Sequence, residues 1–308
     1  MKKNIFITGG GGFLGKHLIL RLKKNGHFVD FPNSKEVDLC TPNSLTKIKK
    51  KYDEIYHLAA WTQAGDFCLK NQASQWIKNE LINSSIIRWW VEKQKKAKLI
   101  FIGTSCCYDE RGDFLEENYL SEKPHPSLAT YAMTKKNLLQ AAIACQSQYK
   151  MKWLSFVPST LYGINYISNN KQNHFIFDLI NKILRGKFLN KKVTLWGDGN
   201  QKREIIHVND FIENMFLINS ISENNLYNIG SGNSYSIKYF SKIICKIVNY
   251  DFKKINFDKK KYVGAKFKEL SIRKVLKINK NYKKNLSNLH SGLKEVIDWH
   301  VEKKIYLK

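Results

Sequence analysis

The sequence is poor in arginine, in paired cysteines and in long apolar runs, and each scarcity excludes something. Of its 52 Lys and Arg only six are Arg (Arg21, Arg88, Arg111, Arg185, Arg203 and Arg273), set against 26 Asp and Glu. The formal net charge is +26, an electrostatic footprint that by itself suits a nucleic-acid binder. Proteins that read nucleic acids favour Arg, whose planar fork matches phosphates and guanine edges. A charge carried by Lys, with no nucleic-acid module signature beside it, argues against nucleic acid as the partner. No apolar run approaches the ~20 residues that span a bilayer, so no membrane is expected either. The N-terminus MKKNIFITGGGG is basic, but its apolar stretch breaks at glycine too early for a secretory signal. The six Cys (40, 68, 106, 107, 145 and 245) include no Cys-x-x-Cys pair and no His at ligand spacing. That excludes a zinc site and a disulfide framework. No metal is expected, and a reduced cytoplasm is the simplest setting.

What is present is enough for a proper core. The chain has 308 residues, 43% hydrophobic and 13% aromatic, the size of one large or two small domains. Asn4–Thr8 reads as a buried strand, and FLGKHLILRLKKNG as a helix. Its Phe13, Leu14, Leu18, Ile19 and Leu22 share one face, and Gly26 ends it. Further strands are expected at Phe28–Phe31, Asp53–Ala60, Lys98–Gly103 and Trp153–Pro158. Between two of them a helix carries the stripe Ile77, Leu81, Ile82, Ile86, Trp89 and Trp90. A long helix runs past Lys135 to about Tyr149, and another covers Phe175–Arg185. Strands alternating with helices imply an α/β fold, a Rossmann-like doubly wound parallel sheet with helices on both faces.

Thr8–Gly15 reads TGGGGFLG, with Gly9, Gly12 and Gly15 three apart between a strand and a helix. Such glycines serve a tight turn, a close backbone approach to a pyrophosphate and close packing of the helix. The helix start at Phe13 and Leu14 then offers free N–H groups and a positive dipole end. An acid after the second strand would hold the ribose of NAD. Here that loop is Pro32-Asn33-Ser34-Lys35, with Asp30 earlier and Glu36 later. Asn33, Ser34 and Lys35 suit a 2′-phosphate instead, so NADP(H) is the expected cofactor and NAD(H) the alternative.

Tyr131 and Lys135 stand four apart at the start of a helix, hence on one face. A tyrosine titrating near ~10 must exchange a proton near neutrality, and an adjacent ammonium is expected to lower its pKa. Thr104 and Ser105 follow the strand KLIFIG and are placed to add a hydroxyl to an acid–base site around a carbonyl.

Together with HLAA (His57–Ala60) and GTSCCY (Gly103–Tyr108), this pattern resembles the extended short-chain dehydrogenase/reductase family, also described as NAD-dependent epimerases and dehydratases. Within it the chain looks most like the GDP-L-fucose synthases, which invert C3 and C5 of a GDP-4-keto-6-deoxy sugar and reduce C4 with NADPH. The resemblance implies a nucleotide-binding unit over 1–163 and 204–232, and a smaller nucleotide-sugar-binding unit over 164–203 and 233–308. It implies catalytic roles for Thr104, Ser105, Cys106, Tyr131, Lys135 and His174. It brings Ala59, Ala60 and Pro158 to the cofactor with Tyr131 and Lys135, and assigns Lys182, Trp196, Arg203 and Lys268 to a nucleotide-diphosphate sugar, GDP-linked by analogy. It also implies a homodimer, paired through the helices of Trp89–Trp90 and Leu138–Leu139.

The chemistry explains why a thiol and an imidazole would both be needed. A C4 ketone acidifies the hydrogens on C3 and C5, and inversion requires one group to remove a proton and another to return it to the opposite face. Thiol and imidazole both exchange protons near neutrality. Tyr131 and Thr104 would polarise the ketone and steady the enolate. Three departures matter. GGGG stands where the synthases have a His-Arg pair, Thr160 stands where they have Asn in Asn-x-Tyr-Gly, and KFKELS around Lys268 keeps little of their text. A related deoxy or dideoxy sugar, or a deoxyheptose, is therefore open. A 4,6-dehydratase would carry Asp-Glu where Ser105-Cys106 stand, which argues against it. The alternative is an NAD(P)-dependent nucleotide-sugar 4-epimerase or simple 4-reductase, which needs neither Cys106 nor His174. A dinucleotide sensor without chemistry has no use for Tyr131, Lys135 and Thr104.

Overall fold

The computed structural model describes residues 1–63, 67–167, 172–261 and 265–307. Its strands are β1 (Asn4–Thr8), β2 (Phe28–Asp30), β3 (Glu54–His57), β4 (Lys98–Ile102), β5 (Trp153–Pro158), β6 (Thr160–Tyr162), β7 (Val193–Trp196), β8 (Lys202–His207), β9 (Asn225–Ile229), β10 (Ser234–Ser236) and β11 (Ile255–Asp258). The helices are α1 (Phe13–Lys24), α2 (Phe67–Lys70), α3 (Gln72–Lys93), α4 (Ala129–Tyr149), α5 (Phe175–Leu189), α6 (Val208–Ile221), α7 (Ile237–Val248), α8 (Arg273–Ile278) and α9 (Leu289–Glu302).

A six-stranded sheet has the order β2-β1-β3-β4-β5-β9, and all its pairs are parallel. The strands are near-continuous apolar runs because helices cover both faces. The doubly wound α/β fold expected from the sequence is what forms. One face carries Phe6, Ile55, Leu99 and Phe101 against α3 and α4. The other carries Ile5, Ile7, Ile100 and Leu154 against α1 and α6. A third cluster gathers α5, α7 and α9 around Phe177, Ile180, Phe240 and Val296. Two small sheets serve the second half: β6 runs parallel to β8, which β10 joins antiparallel, and β7 pairs with β11 in parallel.

Local chemistry explains where the helices stop. α1 ends with Arg21, Lys23 and Lys24 in its last turn, where cations suit the carbonyl end, and Gly26 follows at φ 79°. α5 and α7 end on Asn190 and Asn249 in the left-handed conformation, which Asn tolerates better than most residues. α7 and α9 begin on the capping side chains of Ser236 and Asn288.

The stripe read along α3 is only half right. Ile82, Ile86, Trp89 and Trp90 are buried, but Ile77 and Leu81 face outward. The buried side of its first half is polar, made of Gln75, Asn79 and Asn83, because that half adjoins the site. The faces expected to pair two copies are also used within the chain: Trp89, Trp90, Leu138 and Leu139 all lie in its own core. The polar stretch expected after Gly163 falls partly outside the described residues, at 168–171.

Candidate active site

The glycine turn sits between β1 and α1, at the carboxyl edge of the six-stranded sheet. Gly9 takes φ +72°, and a Cβ there would meet Ala59 N at 2.7 Å. At Gly15 a Cβ would lie 2.4 Å from the Gly9 carbonyl oxygen, so this glycine serves the turn's closure on itself. The Gly12 N–H donates to Gly9 O at 3.0 Å. α1 begins at Gly12 with no side-chain cap and no acid in its first turn. Free N–H groups at a dipole's positive end, beside a tip at Gly11 open for 4 Å, fit the pyrophosphate of a dinucleotide.

Both nearby acids are engaged elsewhere. Asp30 accepts from Lys50 at 2.9 Å and from the Tyr52 hydroxyl at 2.8 Å, and these partners lower its pKa against the effect of burial. Glu36 accepts the Asn33 N–H at 2.8 Å, and the Asn33 side chain accepts the Lys35 N–H at 2.9 Å. This leaves the exposed Lys35 ammonium and the Ser34 hydroxyl facing solvent at the loop's rim. Ala59 and Ala60 follow β3, and Pro158 ends β5. The Ala59 N–H donates to Thr8 Oγ1 at 3.2 Å.

The reactive residues gather where β4 ends. Thr104 caps a single 3₁₀ turn, Ser105–Cys107, its hydroxyl accepting the Cys106 N–H at 3.3 Å and its own N–H donating to the Tyr119 hydroxyl at 3.2 Å. Thr104, Ser105, Cys106 and Tyr131 are all half-buried, whereas Lys135 is buried. The Tyr131 pKa is raised, first by burial and then by Cys106, Cys107 and Cys68. This corrects the expected lowering: desolvation and sulfur neighbours dominate, and the Lys135 charge is not among the groups acting on it. Burial also lowers Lys135, to about 8, with Cys107 opposing.

Lys268 Nζ donates to Cys106 Sγ at 3.4 Å. Its charge also acts on His174, whose pKa is lowered by the crowding of its surroundings and then by Lys268. His174 is the residue before α5, and its backbone N–H donates to the Tyr166 hydroxyl at 3.3 Å. The Tyr166 ring stacks on Phe177 at 3.8 Å. The segment carrying Lys268 is held beside β8: the Lys202 N–H donates to Lys266 O at 2.9 Å and the Leu270 N–H to Glu204 Oε2 at 2.8 Å. Arg203 thus lies on the strand next to Lys268. Lys182 and Trp196 meet each other instead, the ammonium 5.6 Å from the indole centroid and paired with Asp178 at 2.8 Å.

Sequence reasoning passed over Cys68. Its thiol lies on α2, close enough to Cys106 and Lys268 for both to act on its pKa, which burial raises. Tyr166 and Glu204 were passed over too. No local pattern marks any of the three, because each reaches the site through the tertiary fold. Among the described residues no cluster of His, Cys, Asp and Glu could hold a metal ion, and no helix is long and apolar enough to cross a membrane.

Comparisons with known proteins converge on one family. The model described as "NAD dependent epimerase/dehydratase family" matches residues 5–230. A GDP-L-colitose synthase of Yersinia pseudotuberculosis is 27% identical over 276 residues, 86% of this chain and 88% of the relative. GDP-L-fucose synthase 1 of Arabidopsis thaliana is 25% identical, covering 97% of this chain and 93% of its own. The crystal structure of a GDP-6-OMe-4-keto-L-xylo-heptose reductase from C. jejuni superposes with a TM-score of 0.86 at 20% identity, over 98% of both chains. A GDP-L-fucose synthetase from Naegleria fowleri bound to NADP gives 0.83 at 20% identity, over 99% of this chain and 96% of that one. At that identity the two structures speak for the fold.

Proposed function

The chain belongs to the NAD dependent epimerase/dehydratase family, and from that premise we propose that it inverts C3, C5 or both in a GDP-4-keto-6-deoxy sugar and then reduces C4. The relatives' names, which include colitose and fucose synthases, support a GDP-sugar substrate. The observation that carries the reading is the convergence on Lys268, which bonds Cys106 Sγ at 3.4 Å and whose charge reaches His174. The cation bonded to the thiol also acts on the imidazole, which supports a shared role for the two in moving protons, beside a tyrosine and a threonine suited to a ketone.

NADPH, when bound, would supply the hydride for C4. Asn33, Ser34 and Lys35 would hold its 2′-phosphate, the N–H groups of Phe13, Leu14 and Gly15 its pyrophosphate, and Lys135 its nicotinamide ribose, with Ala59, Ala60 and Pro158 completing the cofactor site. Tyr131 and Thr104 bond the C4 oxygen, so charge developing there on proton removal from C3 or C5 meets fixed donors. His174, with its pKa lowered, presents the neutral imidazole, the form that accepts a proton. Cys106 exchanges the second proton, and Lys268 orients its sulfur. When C4 is reduced, Tyr131 delivers the proton to oxygen. Arg203, with Lys182 and Trp196, takes the diphosphate and base. The small unit over 164–203 and 233–308 would thus hold the sugar nucleotide against the dinucleotide unit over 1–163 and 204–232.

The test is incubation with NADPH and GDP-4-keto-6-deoxymannose in deuterated water. Deuterium at C3 or C5 of the product is expected, with its loss in Cys106→Ser or His174→Gln. Reduction without label would leave a simple 4-reductase.

A further inference from the structure

His57 at the end of β3 and Asn83 on α3 take no part in the chemistry above, yet both are buried and hydrogen-bonded through every side-chain polar atom. The Ala59 N–H donates to Thr8 Oγ1 at 3.2 Å, and Thr8 Oγ1 lies 2.8 Å from His57 Nδ1. His57 Nε2 lies 3.2 Å from Asn83 Oδ1, and Asn83 Nδ2 donates to the Thr134 carbonyl at 3.1 Å. Thr134 sits between Tyr131 and Lys135 on α4.

The partners fix the protons. Reversing the Asn83 amide would set oxygen against oxygen at Thr134, so its oxygen faces His57. That oxygen only accepts, so His57 Nε2 carries the hydrogen. A neutral ring then has its lone pair on Nδ1, and the Thr8 hydroxyl donates to it while accepting from Ala59. All four donors point one way, from the cofactor turn through β3 and α3 to α4.

We propose that His57 and Asn83 are positioning residues, which hold α4, and with it Tyr131 and Lys135, at a fixed place relative to the glycine turn and Ala59, and do so only while His57 is neutral. The inference rests on the reading of Tyr131 and Lys135 as the reacting pair. A protonated ring would carry a second N–H aimed at the Thr8 hydroxyl, which would then accept twice and lose the acceptor of its own hydrogen, and the chain of donors would lose its direction. The surroundings favour the neutral ring: burial first, then the charge of Lys135, the ionisable group among the described residues that acts on it, bring its pKa down to about 3. An apolar pair would fill the same space, but would leave the Thr134 carbonyl with only its partner within α4 and remove the bond that ties α4 to α3, so that α4 is free to shift. Small misplacements of reacting groups cost rate far more than affinity.

The test compares wild type with Asn83→Leu, Asn83→Asp and Thr8→Val, following NADPH oxidation with GDP-4-keto-6-deoxymannose and NADPH affinity by fluorescence. Asn83→Leu and Thr8→Val are expected to lower kcat by about ten- to a hundredfold, with the Kd for NADPH changed less than about threefold. Asn83→Asp cannot donate to the Thr134 carbonyl, and its charge draws a proton onto His57. The acid limb of its kcat profile should therefore lie at higher pH than that of wild type. If Asn83→Leu fails to fold, Asn83→Asp and Thr8→Val decide alone. Wild-type kcat in the folded variants, with an Asn83→Asp profile that overlays wild type, overturns the proposal. Tyr131→Phe runs beside them: full activity there would remove the catalytic pair instead, whereas its inactivity with unaffected Asn83 variants would remove only this inference.

Discussion

Three alanine substitutions in one turn should separate by several kcal/mol, because the turn demands glycine at two places for different reasons and not at the third. At Gly9 the backbone is left-handed, which costs an L-residue about 1–2 kcal/mol. The added Cβ would also sit 2.7 Å from Ala59 N and 2.9 Å from Ala59 Cα. These are backbone atoms that cannot swing aside, so overpacking adds about 1–3 kcal/mol. The sum for Gly9→Ala is about 2–5 kcal/mol, a large share of the roughly 5–15 kcal/mol that folded proteins possess. Gly15 lies inside α1, where alanine is ordinarily better than glycine by about 0.5–1 kcal/mol. Its Cβ would meet Gly9 O at 2.4 Å and Gly10 Cα at 2.8 Å, and the overpacking outweighs that gain, leaving a net loss of about 0.5–2 kcal/mol. At Gly11 a Cβ meets nothing within 4 Å, so Gly11→Ala should stay within about 0.5 kcal/mol of wild type. Thermal unfolding of the cofactor-free protein reads the series, at about 2 °C per kcal/mol for a chain of this size. A Gly9→Ala protein as stable as Gly11→Ala would refute the reasoning.

Other predictions follow from single groups. Lys135 gives up its proton near pH 8 rather than at its ordinary value of 10.5, so the reduction rate should fall as pH rises through about 8. Lys135→Arg, charged at every working pH, should lack that limb at whatever rate remains, and an unchanged limb would exonerate Lys135. In stability the sign is opposite: the buried charge penalises folding below about pH 8, and the penalty fades as pH rises from there towards 10.5. Of the thiols, Cys107 is buried with its pKa pushed up to about 12, whereas Cys106 and Cys40 are half-buried. Timed iodoacetamide labelling read by mass spectrometry should modify those two first and Cys107 last; equal rates for Cys106 and Cys107 would contradict the structure. Asn228 is fully buried, donating to Phe114 O at 2.7 Å and Ser271 O at 3.2 Å, and accepting from the Tyr108 hydroxyl at 2.7 Å. Asn228→Ala strands the Ser271 carbonyl and the Tyr108 hydroxyl, while the Phe114 carbonyl keeps the Ser271 N–H at 3.3 Å, and should cost about 2–4 kcal/mol in urea unfolding; a cost under about 1 kcal/mol would show that water replaces the side chain.

Elements whose own residues decide them were legible. Trp153–Pro158 forms a strand with the bounds its apolar run suggests, and the glycine turn lies where strand and helix patterns meet. The α5 helix runs four residues past Arg185, to Leu189. Periodicity misled along α3, where a helix facing an active site buries Gln75, Asn79 and Asn83 as others bury leucine. The sheet of β6, β8 and β10 was not read at all. Its short strands come from three distant stretches of chain, and no local pattern reports a pairing of that kind. The same holds for Lys268, brought to Cys106 from 162 residues away by a segment fastened through Glu204 and Asn228. The Tyr131 pKa was misjudged because spacing along a helix tells which groups are near, but not how much water remains around them.

Phe13, the residue after the glycine turn, gives the molecule its mechanics. Its ring meets Tyr166 edge-on at 5.5 Å and Phe177 at 6.0 Å, and it packs against two of the three hydrophobic clusters. It therefore acts as a rivet between halves that a designer would treat as interchangeable modules. A chimaera joining this nucleotide-binding half to a foreign sugar-binding half would leave Phe13 without its socket, and the Tyr166 ring that supports the start of α5 without its side wall. Grafts should succeed only when Tyr166 and Phe177 travel together with Phe13, which puts the practical seam of the molecule inside the second half rather than at Gly163.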